Sequence, residues 1–313
     1  MSMYRIGFNI KESSDSLSDV LKWSMILPVE YSKNNNKKII SISIKNQKIP
    51  LPDNVNKHFS YIPNSKNIRG TIGKFYITQY FNRNIIIVTD VEKCTTFGYI
   101  LDKHINKNTL YFLNSLIKPH IYHHFFYNKM LIIHAGVIAD KNDNAILISG
   151  NFRAGKTTFV INAVKSGKYR LLCDDRIIYD ELTKKLYGNP LRIFALQSTI
   201  NKYPDLLKFH RPVAEGKERR YLVNTNNWPI SYQGNLELCI FLNADKTKPH
   251  EIYKLSQEKI ENFLISDQKR CYLPDNTEKL NKLINLVSKM PCYYLNRQIN
   301  KNTFLEFIDF LKN

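Results

Sequence analysis

The spacing G-x-x-x-x-G-K-T at residues 150–157 constrains the fold of this chain more than any other feature. An apolar, strand-like run at 145–148 precedes it, and a helix-like run at 158–164 follows it. A strand, a glycine-containing loop and a helix in this order predict a site where backbone N–H groups and the helix N-terminus converge on a phosphate. A chance match is the alternative, which the flanking strand and helix disfavour. The residues that we expect to bind a nucleotide are Gly150, Arg153, Ala154, Gly155, Lys156, Thr157 and Thr158.

Two side chains of this loop have a defined chemistry. The Lys156 ammonium group is expected to reach the β- and γ-phosphates as a point charge, and the Thr157 hydroxyl is expected to face Mg²⁺. ATP and Mg²⁺ are therefore the predicted cofactors, although the pattern does not distinguish ATP from GTP. Arg153 either contacts phosphate or an acidic substrate, or points to solvent.

The composition indicates an ordinary globular protein of one large or two modest domains, with 313 residues, 43% of them hydrophobic and 23% charged. No apolar run is long enough to span a bilayer, and the first residues lack the apolar core of a secretion signal. We therefore expect a cytoplasmic protein without a membrane span. Five scattered cysteines, none in a C-x-x-C pair, argue against a disulfide framework or a zinc site.

The formal net charge of +19 has two explanations. It can indicate an anionic partner, such as nucleic acid, an acidic peptide or a membrane surface. It can also reflect a composition rich in lysine and asparagine, and we favour this second explanation. The aromatic residues do not alternate with lysines in a short repeat, and no known nucleic-acid module is visible, so nucleic acid is not the expected partner. Whether the chain forms a homo-oligomer is left open.

The pattern of apolar residues changes near residue 108, from short strand-like runs to a longer helix-like run. Residues 1–108 form a predicted β-rich subdomain of short runs separated by polar or proline-containing breaks. Its predicted elements are strands at 4–10, 38–44, 74–80 and 84–88 and a helix at 15–27. Residues 109–313 form the predicted nucleotide-binding domain, which begins with a helix at 110–126 that Pro119 kinks or breaks. Its other predicted elements are strands at 130–138, 169–173, 236–242 and 290–295 and helices at 278–289 and 301–311.

An acidic pair, Asp174-Asp175, follows the predicted strand at 169–173. If that strand lies next to the strand before the loop, its end places both acids beside the loop. One carboxylate can then ligate Mg²⁺ and the other can act as general base toward a hydroxyl, because phosphoryl transfer requires both tasks. Adjacent residues of an extended chain point to opposite faces, so the two acids should differ in role. A simple turn is the alternative.

His134 lies in an apolar strand just ahead of the loop strand. A histidine there is either a hydrogen-bonded core residue or an active-site group suited to proton transfer and phosphate contact. The basic cluster of Lys217, Arg219 and Arg220 is the remaining candidate. It is either a loop that closes on the phosphates and supplies positive charge, or an exposed charged turn.

These motifs, in this order, resemble the HPr kinase/phosphorylase superfamily, which shares its nucleotide-binding core with phosphoenolpyruvate carboxykinase. The resemblance rests on His134-Ala135-Gly136-Val137, the loop at 150–157 and Leu171-Leu172-Cys173-Asp174-Asp175, and it covers residues 130–310. It implies an α/β fold with a P-loop core behind the β-rich N-terminal subdomain. It also implies that His134, Lys156, Thr157, Asp174 and Asp175 are active-site positions.

Within that superfamily, three features resemble the relatives found in peptide-tailoring gene clusters, including kinases of lasso-peptide precursors. They are the closing segment at 291–295, the β-rich N-terminal part, and Phe152 and Arg153 in the loop. The resemblance therefore implies an ATP-dependent kinase that phosphorylates a hydroxyl group of a precursor peptide during the biosynthesis of such a peptide. The expected acceptor is a serine. Two alternatives remain. One is a phosphotransferase acting on a small molecule with ATP or pyrophosphate, and the other is a nucleotide-gated protein that binds nucleic acid or an acidic peptide.

Overall fold

The structure is a computed structural model of the 313-residue chain. It describes residues 9–10, 41–45, 47–60, 67–80, 84–101, 110–151, 153–190, 193–214, 220–223, 225, 227–243, 251–268, 277–296, 306–307 and 310–311. The chain divides into two compact units, Met1–Lys129 and Met130–Asn313. Both contain helices and strands, so the protein is a mixed α/β protein. No helix in the described ranges combines the length and the apolar character needed to cross a membrane.

The first unit is built on a six-stranded sheet. Its elements are β1 (Asn9–Ile10), β2 (Ser41–Lys45), α1 (Asp53–Ser60), β3 (Ile68–Ile72), β4 (Phe75–Tyr80), β5 (Ile85–Asp90), β6 (Thr95–Ile100) and α2 (Leu110–Tyr127). The strand order is β1-β2-β6-β5-β4-β3, in which the pairs β1–β2 and β2–β6 are parallel and the other pairs are antiparallel. Most of the strand predicted at 4–10, and all of the helix predicted at 15–27, lie outside the described residues.

Helix α2 was expected to open the second domain, but it belongs to the first unit. Its residue His120 lies between Thr78 of β4 and Thr89 of β5, with nitrogen–oxygen distances of 2.9 and 2.8 Å. One turn on, His124 lies 2.9 Å from Thr96 of β6. These hydrogen bonds satisfy polar groups that the sheet buries, so they hold the helix to the sheet. Pro119 lies inside this helix rather than ending it.

The burial of His124 leads us to expect that acid lowers the free energy of unfolding. Burial, with the nearby charge of His123, lowers the pKa of His124 from 6.5 to about 4. Below pH 6.5 the unfolded chain takes up a proton that the folded state refuses, so this contribution to stability is complete above pH 6.5 and is lost as the pH falls toward 4. Between pH 7.5 and pH 5 the loss from His124 is about 2 kcal/mol.

Urea unfolding of the wild type and of His124→Gln at those two pH values measures this effect. The glutamine amide can keep a hydrogen bond to Thr96 but does not titrate, so the variant should show the smaller loss of unfolding free energy on acidification. Equal losses in the two proteins would show that His124 is not the acid-sensitive group.

The second unit contains a nine-stranded sheet and a three-stranded sheet. The strands of the large sheet are β7 (Met130–His134), β8 (Gly136–Ala139), β9 (Asn144–Gly150), β10 (Arg170–Cys173), β11 (Arg176–Asp180), β12 (Lys185–Gly188), β16 (Gln233–Asn243), β17 (Glu251–Lys254) and β18 (Cys292–Asn296). Its main path is β10-β8-β9-β16-β12-β11-β7, and β18 joins it parallel to β16, with β17 beside β18. The small antiparallel sheet consists of β13 (Ile193–Leu196), β14 (His210–Ala214) and β15 (Arg220–Val223), in the order β13-β15-β14.

The remaining elements of this unit cover the sheets or connect them. They are α3 (Lys156–Lys165), α4 (Gln197–Lys202), a 3₁₀ turn (Pro204–Phe209), α5 (Gln257–Gln268) and α6 (Thr277–Val287). The core lies between α3 and the large sheet, where Phe159, Val160 and Ala163 of the helix are fully buried. Of the helix predicted at 301–311, the structure describes helical residues at 306–307 and 310–311 only.

Candidate functional site

Two runs of strand, each interrupted by a short break, pair with each other at the candidate site. One consists of β7 and β8, and the other of β10 and β11, and the two pair antiparallel on both sides of the break. His134 ends β7, and the break opposite it holds Asp174 and Asp175. The Ala135 N–H donates to the Asp175 carbonyl at 3.1 Å, so the strands stay joined through the bend. The topology therefore brings His134 together with the acidic pair, which was predicted from a separate motif.

We expected the acidic strand β10 to be the immediate neighbour of the loop strand β9, and this expectation is wrong. β8 lies between β9 and β10 and is antiparallel to both, so β9 and β10 run in the same direction. Their carboxyl ends lie at the same edge of the sheet for this reason. Gly136, the first residue of β8, leaves room for the helix that follows the loop. A Cβ there would approach Val160 of α3 within 2.7 Å.

The loop itself depends on two glycines. Gly150 has a φ of +145°, and a Cβ there would lie 2.4 Å from the carbonyl oxygen of Leu242 on the parallel strand β16. Gly155 has a φ of +94° and immediately precedes α3. Side chains are excluded at the first position and strained at both, so the G-x-x-x-x-G spacing has a local structural cause. Between them, Arg153 is exposed, with a φ of +66°.

Lys156 is the first residue of α3 and folds back over the loop. Its ammonium group donates to the Gly150 carbonyl and, at 3.3 Å, to the Asn151 carbonyl. Of the other residues predicted to bind the nucleotide, Ala154 is buried within the loop and Thr158 is half-buried in the first turn of α3. An ammonium group over a loop at a helix N-terminus places positive charge where the predicted phosphates would bind.

Asp174 is buried and connects the acidic pair to the loop. Its Oδ2 accepts hydrogen bonds from the Thr157 hydroxyl at 3.2 Å and from the Phe194 N–H of β13 at 3.3 Å. Burial raises the pKa of Asp174 from 3.8 to about 7, although the Thr157 hydrogen bond acts in the opposite direction. Its buried Oδ1 has no hydrogen-bond partner among the described residues. A buried carboxylate oxygen left unsatisfied is a favourable place for a cation.

Asp175 faces the other way and is 44% exposed. Its carboxylate accepts from Arg176 and lies 3.5 Å from His134 Nε2. The expectation that the two acids point to different surroundings agrees with this geometry. A carboxylate open to solvent on one side can meet a hydroxyl group, whereas the buried Asp174 cannot.

Two residues that sequence reasoning missed complete the cluster. Asp267 and Gln268 lie at the end of α5, more than 110 positions beyond the loop strand, and both are buried. Asp267 Oδ1 lies 3.4 Å from His134 Nδ1, and its Oδ2 accepts from the Gly150 N–H at 3.1 Å. Burial raises the pKa of Asp267, but hydrogen bonds from His134 and Ser149 and the charge of Lys156 outweigh it, so the net pKa is lowered. No local pattern distinguishes this Asp-Gln pair from other polar helix ends.

The oxygen atoms that could ligate a metal at this site suit a magnesium ion better than a transition metal. Thr157 Oγ1 and the unpaired Oδ1 of Asp174 are hard oxygen ligands close to one another. Among the residues that the structure describes, no group of three or more histidine, cysteine, aspartate or glutamate side chains forms a metal site. Mg²⁺ is typically held by one or two protein oxygens together with water and substrate phosphates, so the few protein ligands suit it.

The predicted basic cluster is only partly described. Lys217 and Arg219 lie outside the described residues. Arg220 begins β15, where its backbone pairs with Leu196 of β13. Since β13 also donates to Asp174 through Phe194, the small sheet lies against the site, and closure of the basic cluster over it remains a prediction. Phe152 of the loop is also outside the described residues.

Comparisons with known proteins add little to this geometry. No protein-family model matches the chain, and no curated protein matches it. Among solved structures, the chain is similar to the Hpr(Ser) kinase/phosphatase from Coxiella burnetii, with a TM-score of 0.31 and 13% identity. The match covers 58% of this chain and 94% of that one. Similarity at this level establishes neither a common fold nor a common activity.

Proposed function

We propose that the chain is an ATP-dependent kinase with an HPr-kinase-like P-loop core that transfers the γ-phosphoryl group to a hydroxyl group of a peptide. The observation that carries this proposal is the hydrogen bond between Thr157 and Asp174. It joins the glycine loop to the acidic pair, and Asp175 in turn faces His134. An anion-binding loop, a cation position and an open carboxylate in one cluster are the parts that phosphoryl transfer requires.

The geometry supports different roles for the two acids. The loop N–H groups and Lys156 would hold the phosphates, and Thr157 with Asp174 would hold Mg²⁺, which supplies charge neutralisation when bound. Asp175 would take the proton of the acceptor hydroxyl as the oxygen–phosphorus bond forms and the bond to ADP breaks. Asp175 suits this role because its carboxylate is half exposed, whereas Asp174 is enclosed by Thr157 and Phe194.

The acceptor class rests on the sequence. The resemblance to peptide-tailoring kinases supports a serine on a ribosomally made precursor peptide, as in lasso-peptide biosynthesis, and ATP as donor supports a cytoplasmic location. A net charge of +19 is compatible with an acidic peptide. Self-association into a homo-oligomer is compatible with these roles but is not required by them.

Incubation of the full chain with Mg²⁺-ATP and a set of serine-containing peptides, followed by mass spectrometry, tests the proposal. The expected result is one phosphate increment on a serine, together with ADP. Transfer to small hydroxyl compounds only, or with pyrophosphate as donor, would replace the peptide kinase with a different phosphotransferase. Steeply salt-dependent binding to nucleic acid without any transfer would instead indicate a binding protein.

A further inference from the structure

The cluster contains one buried acid that the proposed reaction does not use. Asp267 is only 6% exposed and lies at the end of α5. Its Oδ2 accepts hydrogen bonds from Ser149 Oγ at 2.5 Å, from Gly150 N at 3.1 Å and from Gln268 Nε2 at 3.0 Å. A carboxylate with three donors on one oxygen is stabilised in its ionised form and can only accept hydrogen bonds. Such a carboxylate favours a hydrogen on the ring nitrogen that faces its second oxygen.

That ring nitrogen is Nδ1 of His134, 3.4 Å from Asp267 Oδ1. A neutral imidazole carries one hydrogen only, so a hydrogen on Nδ1 leaves the Nε2 lone pair unprotonated. Nε2 lies 3.5 Å from Asp175 Oδ1. The ring thus lies between two carboxylates. The hydrogen is favoured on the Asp267 side because Asp267 is buried, whereas Asp175 is 44% exposed and already accepts from Arg176.

Gln268 holds the backbone of the same histidine. The His134 N–H donates to Gln268 Oε1 at 2.7 Å, and Gln268 Nε2 donates to the His134 carbonyl at 3.0 Å. The amide therefore pairs with both backbone groups of the residue, as a neighbouring strand would. Two consecutive residues of α5 fix both the ring and the backbone of His134, and Asp267 additionally holds the first N–H of the glycine loop.

We infer that Asp267 is a positioning residue that holds His134 in the Nδ1–H tautomer, with Nε2 directed at Asp175. This inference rests on the proposed function in one respect, that Asp175 receives the hydroxyl proton. Once Asp175 carries that proton, the Nε2 lone pair accepts its hydrogen bond, and this stabilises the protonated acid during transfer. With the hydrogen on Nε2 instead, the ring would compete with the incoming hydroxyl for the Asp175 carboxylate.

The tautomer is measured directly by long-range ¹H–¹⁵N NMR on protein labelled at histidine, at a pH where the ring is neutral. The resonances of His134 are identified by their loss in His134→Gln. We expect an Nδ1–H pattern in the wild type and an Nε2–H or mixed pattern in Asp267→Asn, because the asparagine amide can donate to Nδ1. An Nε2–H pattern in the wild type would overturn the inference, whether or not the chain transfers phosphate.

Kinetics separate positioning from general stability. Asp267→Asn should lower kcat about 100-fold while the KM for ATP changes less than about threefold, because an incorrectly held histidine affects the chemical step. Asp205→Asn is the matched control: it makes the same substitution at an exposed acid that pairs with Lys165, outside the cluster, and it should retain both the tautomer and kcat. Equal loss of kcat in both variants, or a changed tautomer with unchanged kcat, would refute the positioning role. An Nδ1–H histidine in a protein without transferase activity would contradict the proposed function instead.

Discussion

Lys156→Ala is expected to lower the rate of phosphoryl transfer about 1,000-fold, because it removes the positive charge next to the phosphates on which negative charge accumulates. In the structure this ammonium group donates to the Gly150 and Asn151 carbonyls, at the loop where the phosphates would bind. Initial rates with saturating peptide, measured over a range of ATP concentrations, give the loss in kcat and in kcat/KM separately.

The chain offers a matched control on the same helix. Lys165 lies near the other end of α3 and forms a 2.5 Å ion pair with Asp205, in which both side chains are exposed. Exposed pairs of this kind contribute little, so Lys165→Ala should leave transfer and unfolding nearly unchanged. Activity of Lys156→Ala equal to that of Lys165→Ala would exclude Lys156 from phosphate binding and weaken the assignment of the loop.

The parts of the site that the sequence predicted are those with local causes. The loop could be recognised because Gly150 and Gly155 are required by backbone geometry within a few residues of each other. Asp174 and Asp175 could be recognised because they end a short apolar strand. In each case the signal and its structural cause lie within the same segment.

The parts that the sequence missed depend on distant pairing. Gln268 contacts His134 across 134 positions of the chain, and Asp267 is its neighbour. Only the packing of α5 against β7 reveals that these residues meet. Helix α2 was assigned to the wrong unit because its apolar residues show that it packs but not against which sheet. The hydrogen bonds of His120 to β4 and β5 decide that question. The position of β8 between β9 and β10 likewise follows from sheet order, which strand patterns do not contain.

Asp174→Asn and Asp175→Asn should both reduce transfer by about 100-fold to 10,000-fold, but in distinguishable ways. Asparagine at position 174 keeps the size of the side chain and removes the charge that would hold Mg²⁺. The Mg²⁺ concentration that gives the half-maximal rate should therefore rise at least about tenfold. Asparagine at position 175 removes the base, so kcat should fall while the Mg²⁺ requirement stays unchanged. Titration of the rate with Mg²⁺ at fixed ATP measures both quantities.

Stability provides an independent check on the Asp174 variant. A carboxyl whose folded pKa is raised to about 7 destabilises the fold increasingly as the pH rises from about 4 to 7, because the unfolded chain releases its proton first. Neutral asparagine does not carry this cost. Without Mg²⁺ at pH 8, Asp174→Asn should therefore unfold at the same temperature as the wild type or above it, so loss of transfer cannot be ascribed to unfolding.

The same substitution at Asp205 serves as control, because that acid is exposed and pairs with Lys165 at the surface. Asp205→Asn should show wild-type transfer and a wild-type Mg²⁺ requirement. An increased Mg²⁺ requirement in Asp175→Asn rather than in Asp174→Asn would exchange the two roles. It would mean that the ion lies on the open side of the bend, next to His134, and that the orphaned oxygen of Asp174 has another function.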